Sequence, residues 1–334
     1  MKIFVSIPKG SEVEQTFFPN TVKAYLEERF TVSYSPLERQ VTPEEFTQYT
    51  KDADAVVTGW GHPVITGGMV QGTSLKLVAH TGGSVGSLAD GSLYDAGIRV
   101  ISGNLLYAES VAEGALAYMF MGLRRLPYYT QKIREGLWRE PGDQWDGLYD
   151  RTVGIIGFGT ISRLLIDLLQ PFHVSIKIQS HYPIDPDYLQ QHHASAADLD
   201  EIFSTCDIVS VHSSMNERTR GMITGAHFAQ LKEGALFLNT ARGAVIREEE
   251  MIEQLQKNRF FAVLDVFCQE PLALDSPLRR LPNVWCIPHM AGPTLDRRPA
   301  VTRALADDMV QFSSGGPLRL EISAESAKRM TVGG

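Results

Sequence analysis

Gly157 and Gly159, in the run Arg151-Thr-Val-Gly-Ile-Ile-Gly157-Phe-Gly159-Thr-Ile-Ser162, are spaced as a phosphate-bearing ligand requires. A glycine at the first position permits a tight turn, and one at the second lets an anion approach the backbone. The third position must be small so that strand and helix can pack; here it is Ser162 rather than glycine. Free amides at the start of the following helix, Thr160 and Ile161 among them, would hold a pyrophosphate. Alone, such a turn is a weak signal. Between an apolar strand and a helix it reads as a dinucleotide site. The residue that reads the ribose should close the next strand, about 20 residues on. There the chain has Gln179-Ser180-His181, with no acid to accept from a 2′-hydroxyl and no arginine between Arg163 and Arg218 to clamp a 2′-phosphate. Ser180 suits either group and His181 the phosphate, so the residues lean to NAD and leave NADP open.

A regular α/β frame has to hold that turn, and the hydropathy pattern supplies one. From Val153 onward six short apolar runs, at 153–156, 174–179, 207–212, 235–239, 260–265 and 284–287, alternate with helical segments near 161–169, 198–203, 225–231 and 247–255. Continuous rather than alternating apolar runs predict strands covered on both faces, hence a parallel sheet between helices. Six of them in βα order are what a doubly wound nucleotide-binding domain needs. The first third shows the same alternation, with strands at 3–7, 53–58, 75–79 and 98–101 and a helix at 21–30. Thr42-Pro43 announces another helix, as N-cap and first-turn proline. Ala108–Leu126 predicts one long, mostly apolar helix that another domain or subunit must cover. Around 139–150 a polar stretch with Pro141 and Gly142 reads as a surface connection, and the tail after His289 as helical, polar and returning to the first domain.

A formal net charge of −8, with arginines in pairs at most, argues against nucleic acid and anionic lipid as partners. No apolar run is long enough for a membrane span, and the one beginning at Ile3 is too short for a signal peptide, so a cytoplasmic protein is expected. Cys206, Cys268 and Cys286 are widely spaced, beside apolar stretches and outside any metal-binding pattern. They predict buried, reduced thiols and no metal site.

Three further segments follow the glycine turn: Asn239-Thr-Ala-Arg242-Gly243, Leu264-Asp265-Val-Phe-Cys-Gln-Glu270-Pro271, and Pro288-His289-Met-Ala-Gly292. Taken singly, an arginine at a strand end is most often a surface ion pair, and an ordinary turn residue is the alternative reading of an aspartate there. In register behind the glycine turn, the three resemble the D-isomer-specific 2-hydroxyacid dehydrogenase family, a likeness running from about Ala55 to Ala300.

The resemblance implies an α/β protein of two doubly wound parallel-sheet domains. One is a Rossmann NAD(P)-binding domain over 105–289; the other is a flavodoxin-like substrate domain from 1–104 plus 290–334, with the active site in the cleft. It further implies NAD(H), with NADP(H) possible, a small 2-oxo or 2-hydroxy acid as substrate, and a homodimer. Carried over residue by residue, Arg242 holds the substrate carboxylate with a planar fork of donors. His289 is the acid/base that protonates the C2 oxygen as hydride arrives, and Glu270 orients and charges it. Thr240 joins the cofactor site and Asp265 accepts from the nicotinamide carboxamide. His80-Thr-Gly-Gly-Ser84-Val85-Gly86 resembles the family's substrate-carboxylate loop, whose amides would form an anion nest. Ser87-Leu-Ala-Asp90 departs from the family's usual residues there. Trp60, in Thr58-Gly-Trp60-Gly, either lines the pocket or packs within its own loop. Two rivals stand beside this reading: a non-enzymatic, NAD-sensing protein of the corepressor kind, and a formate- or phosphoglycerate-type dehydrogenase of the same family. A phosphorylated substrate calls for extra basic residues, and Thr81–Ala89 has none.

Overall fold

The computed structural model describes residues 1–331. They form two compact units, Met1–Ala108 with the chain from Pro293 on, and Glu109–Gly292. The crossings fall a few residues later than the 104/105 and 289/290 expected, because the first lies inside one continuous helix, Asn104–Leu123.

The first unit is built on five parallel strands, β1 (Lys2–Val5), β2 (Thr31–Tyr34), β3 (Ala55–Thr58), β4 (Leu77–His80) and β5 (Arg99–Ser102), in the order β2-β1-β3-β4-β5. This is the flavodoxin-like order. Apolar cores cover both faces of the sheet; Ile3 and Val5 belong to one, Phe4 and Val56 to the other. The second unit has seven parallel strands, β6 (Thr152–Ile156), β7 (Ser175–Gln179), β8 (Ala194–Ala196), β9 (Ile208–Val211), β10 (Leu236–Asn239), β11 (Phe261–Leu264) and β12 (Val284–Cys286). Their order is β12-β11-β10-β9-β6-β7-β8, the Rossmann arrangement with one strand added.

β2 and β8 go beyond the strands read from hydropathy. Both are outermost strands: β2 alternates exposed and half-buried residues, and two of the three residues of β8 are exposed. Neither carries the continuous apolar run of a central strand. Thr42 is the expected N-cap, with Pro43 in the first turn, and it also makes a capping box with Glu45.

The helix expected over 108–126 runs instead from Asn104 to Leu123 and breaks at Arg125, which adopts φ 49° before a second helix, Leu126–Arg134. Pro127 explains the break, since it offers no amide to continue the first helix and suits the first turn of the next. One face of Asn104–Leu123 is covered inside the second unit, where Ala112, Ala115 and Met119 share a core with Val153, Leu165 and Ile176. The later helix Arg298–Ser313 belongs to the first unit and is less polar than expected, with Val301, Leu305 and Met309 buried. The cysteines need a correction too. Cys206 is buried, but Cys268 and Cys286 reach the surface, one in the loop after β11 and the other closing the outermost strand β12; all three are free. Among the described residues no helix is long and apolar enough to cross a membrane.

Among the described residues, three histidines are buried and hydrogen-bond to hydroxyl groups. His62 bonds Ser6 (3.1 Å), His80 bonds Thr58 (3.0 Å), and His212 bonds Ser210 (2.8 Å). Burial pushes His80 down to about 3, and His62 and His212 down to about 4, from an ordinary 6.5. Below that ordinary value the unfolded chain takes up protons that the folded chain refuses, so stability is lost as pH falls from 6.5 toward 4. Melting temperature measured from pH 8 to pH 4 should drop through that window, and His80→Asn should flatten the drop. An identical slope in the variant would show that His80 is not held neutral in the folded chain.

Candidate active site

At the end of β6, Gly157 has φ 93°, and a Cβ there would lie 2.7 Å from both the amide and the hydroxyl of Ser213. A side chain would be strained and blocked at once. Gly159 caps the helix Thr160–Leu169, and a Cβ on it would meet nothing within 4 Å. The space over the first helical amides is therefore open, as an anion cradle must be. Ser162 is buried and its hydroxyl donates to the Gly157 carbonyl (2.8 Å). The departure from a third glycine thus adds a bond that pins the turn.

At the end of β7 the Gln179 carbonyl accepts from the Gly157 amide (2.9 Å), while its side-chain Oε1 is buried and has no partner among the described residues. His212 Nδ1, just past β9, and Thr240 Oγ1, just past β10, are in the same state. Buried polar atoms are ordinarily satisfied. Three left open at the C-terminal ends of strands in one sheet, beside a glycine turn, fit a bound dinucleotide. Ser180 Oγ accepts the Tyr182 amide (3.1 Å), and His181 is exposed. Gln179 is not the acid that the ribose position ordinarily carries, and its place as the last residue of the strand is its one signal in the sequence.

The acid–base groups gather on the same edge. His289 Nδ1 lies 2.7 Å from Glu270 Oε2, and Glu270 Oε1 accepts the Phe267 amide (3.0 Å). The bond to Glu270 occupies Nδ1 and leaves Nε2 for proton exchange. His289 itself sits at φ 53°, a conformation an ordinary residue keeps only when its surroundings enforce it. Asp265 supplies the enforcement. Its backbone carbonyl accepts the His289 amide (2.9 Å), and its carboxylate accepts Met290 N (2.7 Å), Ala291 N (3.0 Å) and the Tyr118 hydroxyl (3.2 Å). Burial raises the Asp265 carboxyl above its usual range, and the two amides pull against that. Tyr118 gave no signal in the sequence, lying inside an apolar helix.

Arg242 follows β10. Its Nη1 donates to the Ala241 carbonyl (2.7 Å), and its Nε is buried without a partner among the described residues. Burial lowers the guanidinium's pKa, with the Glu270 charge opposing. Gly243 lets this loop pass the one carrying Glu270, since a Cβ there would fall 2.0 Å from the Phe267 carbonyl carbon. A cavity of about 670 Å³ lies at the opposite ends of these strands, but Arg151 and Lys232 in its wall are already paired with Asp146 (2.6 Å) and Asp207 (2.9 Å).

In the first unit, Val85 is buried in the core, the Gly86 amide donates to Ser84 Oγ (3.3 Å), and Ser84 Oγ donates to the Thr331 carbonyl (2.9 Å). Trp60 is 40% exposed and meets Phe17 and Tyr107 edge-on, with the Arg298 guanidinium 5.1 Å above its ring. Tyr107, its ring against Gly83 and its buried hydroxyl without a partner among the described residues, was missed in the sequence.

A dinucleotide cradle sharing a sheet edge with a histidine–carboxylate pair and a desolvated arginine is the equipment of a nicotinamide-dependent oxidoreductase. Residues 116–291 match the sequence model of "D-isomer specific 2-hydroxyacid dehydrogenase, NAD binding domain", and the chain belongs to the D-isomer specific 2-hydroxyacid dehydrogenase family. It is 28% identical to glyoxylate/hydroxypyruvate reductase B of Citrobacter koseri over 314 residues, 92% of this chain and 96% of that protein. Solved structures share the fold. D-mandelate dehydrogenase of Rhodotorula graminis superposes with TM-score 0.80 at 20% identity, over 96% of this chain and 97% of that one. An acyclic imino acid reductase solved with NADPH and D-Arg gives 0.77 at 22%, over 97% and 100%.

Gly157→Ala should weaken NADH binding about tenfold or more, since left-handed strain of ~1–3 kcal/mol adds to the clash with Ser213. Titration of nicotinamide fluorescence would read it, and an unchanged dissociation constant would show that this turn is not the cradle.

Proposed function

We propose that this enzyme reduces a small 2-oxo acid to the 2-hydroxy acid, or runs the reverse, with Arg242, Glu270 and His289 as its working residues. The observation that carries the reading is the 2.7 Å bond between Glu270 and His289 on the sheet edge that also holds Arg242. Bound nicotinamide supplies the hydride. Arg242 takes the substrate carboxylate on the donors left free by Ala241 and draws charge from the C2 carbonyl. His289 gives its Nε2 proton to the C2 oxygen, so no alkoxide accumulates. Glu270, fixed by the Phe267 amide, keeps the ring oriented.

On the cofactor side, Gly157, Gly159, Thr160, Ile161 and Ser162 would hold the pyrophosphate, Gln179, Ser180 and His181 the ribose, and Thr240 the nicotinamide half. Asp265 Oδ2 takes one amide, so a lone pair remains for the carboxamide. The amides of Ser84–Gly86 and the face of Trp60 are the substrate-side elements of the first unit. The lack of an arginine between Arg163 and Arg218 supports NAD(H) first, and the lack of an acid at 179–181 leaves NADP(H) tolerated.

NADH and NADPH oxidation against glyoxylate, hydroxypyruvate, pyruvate and bulkier 2-oxo acids tests this directly. His289→Ala should cost roughly 10²–10⁴-fold in kcat while NADH still binds. Turnover surviving in that variant would overturn the assignment of His289.

A second copy of the chain is the proposed cover for a run of exposed apolar side chains, Leu126, Tyr128, Ile133, Leu137, Trp138 and Tyr149, of which Trp138 is 71% exposed. Light scattering should give a dimer that Ile133→Asp with Trp138→Asp converts to monomer; a wild-type monomer at micromolar concentration would refute it. The three free thiols suit a reducing, cytoplasmic compartment.

A further inference from the structure

Beyond helix Arg298–Ser313 the chain returns to the first sheet in a way the chemistry above does not use. Glu321 pairs antiparallel with Ile101 on β5, where Ser102 N donates to Leu320 O (3.1 Å) and Ile322 N to Val100 O (2.9 Å). Arg99 grips the Glu321 carboxylate with two bonds of 2.6 Å, and Leu320 N donates to the buried Asp308 (2.7 Å). Ser323 then caps the helix Ala324–Arg329, whose Ala327 is buried in the same core cluster as Val85 and Leu88. This path delivers Met330 and Thr331 onto the Ser84–Gly86 loop. Ser84 Oγ donates to the Thr331 carbonyl (2.9 Å), and a Cβ on Gly86 would stand 2.6 Å from that oxygen and 3.2 Å from the Met330 carbonyl.

We propose that Ser323–Thr331 is a positioning strap that fixes the Ser84–Gly86 loop and thereby sets the affinity for the substrate carboxylate. This rests on the reading of that loop given under Proposed function. Gly82 and Gly83 lead into the loop and Gly86 ends it, so its backbone has much freedom to lose on taking one shape. An anion nest binds well only if its amides are aimed before the ligand arrives. The strap does the aiming through one hydroxyl. With its proton committed to Thr331, Ser84 Oγ presents a lone pair to the Gly86 amide (3.3 Å), which closes the turn. Gly86 is required because the strap's carbonyls occupy the space of a side chain. The strap and the loop it holds belong to the first unit, whereas His289 and Arg242 belong to the second, so the strap acts on binding and leaves the proton-transfer step alone.

The test compares wild type, a chain stopped after Ile322, Gly86→Ala, and the two changes combined. Stopping after Ile322 keeps the pairing with β5 and removes the strap. KM for glyoxylate, or for whichever 2-oxo acid the wild type turns over, should rise about tenfold in the shortened chain. Its kcat should stay within about twofold and its NADH dissociation constant should not move. Gly86→Ala should raise KM in the full-length chain but add little in the shortened one, because the carbonyl it presses on is gone; that non-additivity is the signature of contact. A folded shortened chain with wild-type KM, or strictly additive effects, would overturn the strap. If circular dichroism shows the shortened chain unfolded, Ser323→Ala with Ala327→Gly loosens the helix in the full-length chain, and the same KM criterion decides. Absence of turnover of any 2-oxo acid by the wild type would sink the reading of the loop itself, whereas turnover with KM unmoved sinks only the strap.

Discussion

The geometry of the second unit depends on one buried carboxylate. Asp265 ends up inside the protein just past β11, where a charge is tolerable only if donors surround it. Two of those donors are the amides of Met290 and Ala291, and a third is the Tyr118 hydroxyl from the long helix. Meeting that demand forces the chain after Pro288 into a single path, and His289 is bent into a left-handed conformation as a result. The residue that the family resemblance assigns to the cofactor thus also shapes the acid–base loop.

From that anchor the other parts follow by short steps along the chain. Two residues beyond Asp265, the Phe267 amide holds Glu270, and Glu270 meets His289 from the far side of the same turn. Gly243 lets the neighbouring loop from β10 run against this one, and that loop carries Arg242. Asn239 keeps it in shape by bonding Ala241 N (3.0 Å) and the Arg242 carbonyl (3.1 Å). Arg242 is consequently desolvated, with its Nε buried and without a partner among the described residues, so its guanidinium is held in place by the loop and not by solvent.

Much of this was legible in the residues, for identifiable reasons. Central strands such as 153–156 and 235–239 announce themselves because both faces are buried, and the glycine turn because only glycine tolerates φ 93° against Ser213. The edge strands β2 and β8 were not legible, since half-wet strands lack a continuous apolar run. Arg125 hid the helix break because arginine seldom adopts φ 49°; Pro127 was the clue. Gln179, Tyr118 and Tyr107 were hidden for a different reason. Their importance lies in hydrogen bonds made or left open in three dimensions, and no spacing rule encodes those. Cys268 and Cys286 misled because an apolar neighbourhood in sequence became a surface position at a loop and an outer strand.

The discontinuity of the first unit has a consequence for the order in which the molecule can be made. Val301, Leu305 and Met309 complete a core whose other members, such as Ile3, Phe17 and Leu26, leave the ribosome before any of the second unit exists. Those early strands must wait for the whole of Glu109–Gly292, a delay on the order of ten seconds or more at ~5–20 residues per second. The middle unit, being continuous, is free to fold during that interval. Its nascent partner meanwhile keeps apolar surface uncovered, and so has the greater need of a chaperone.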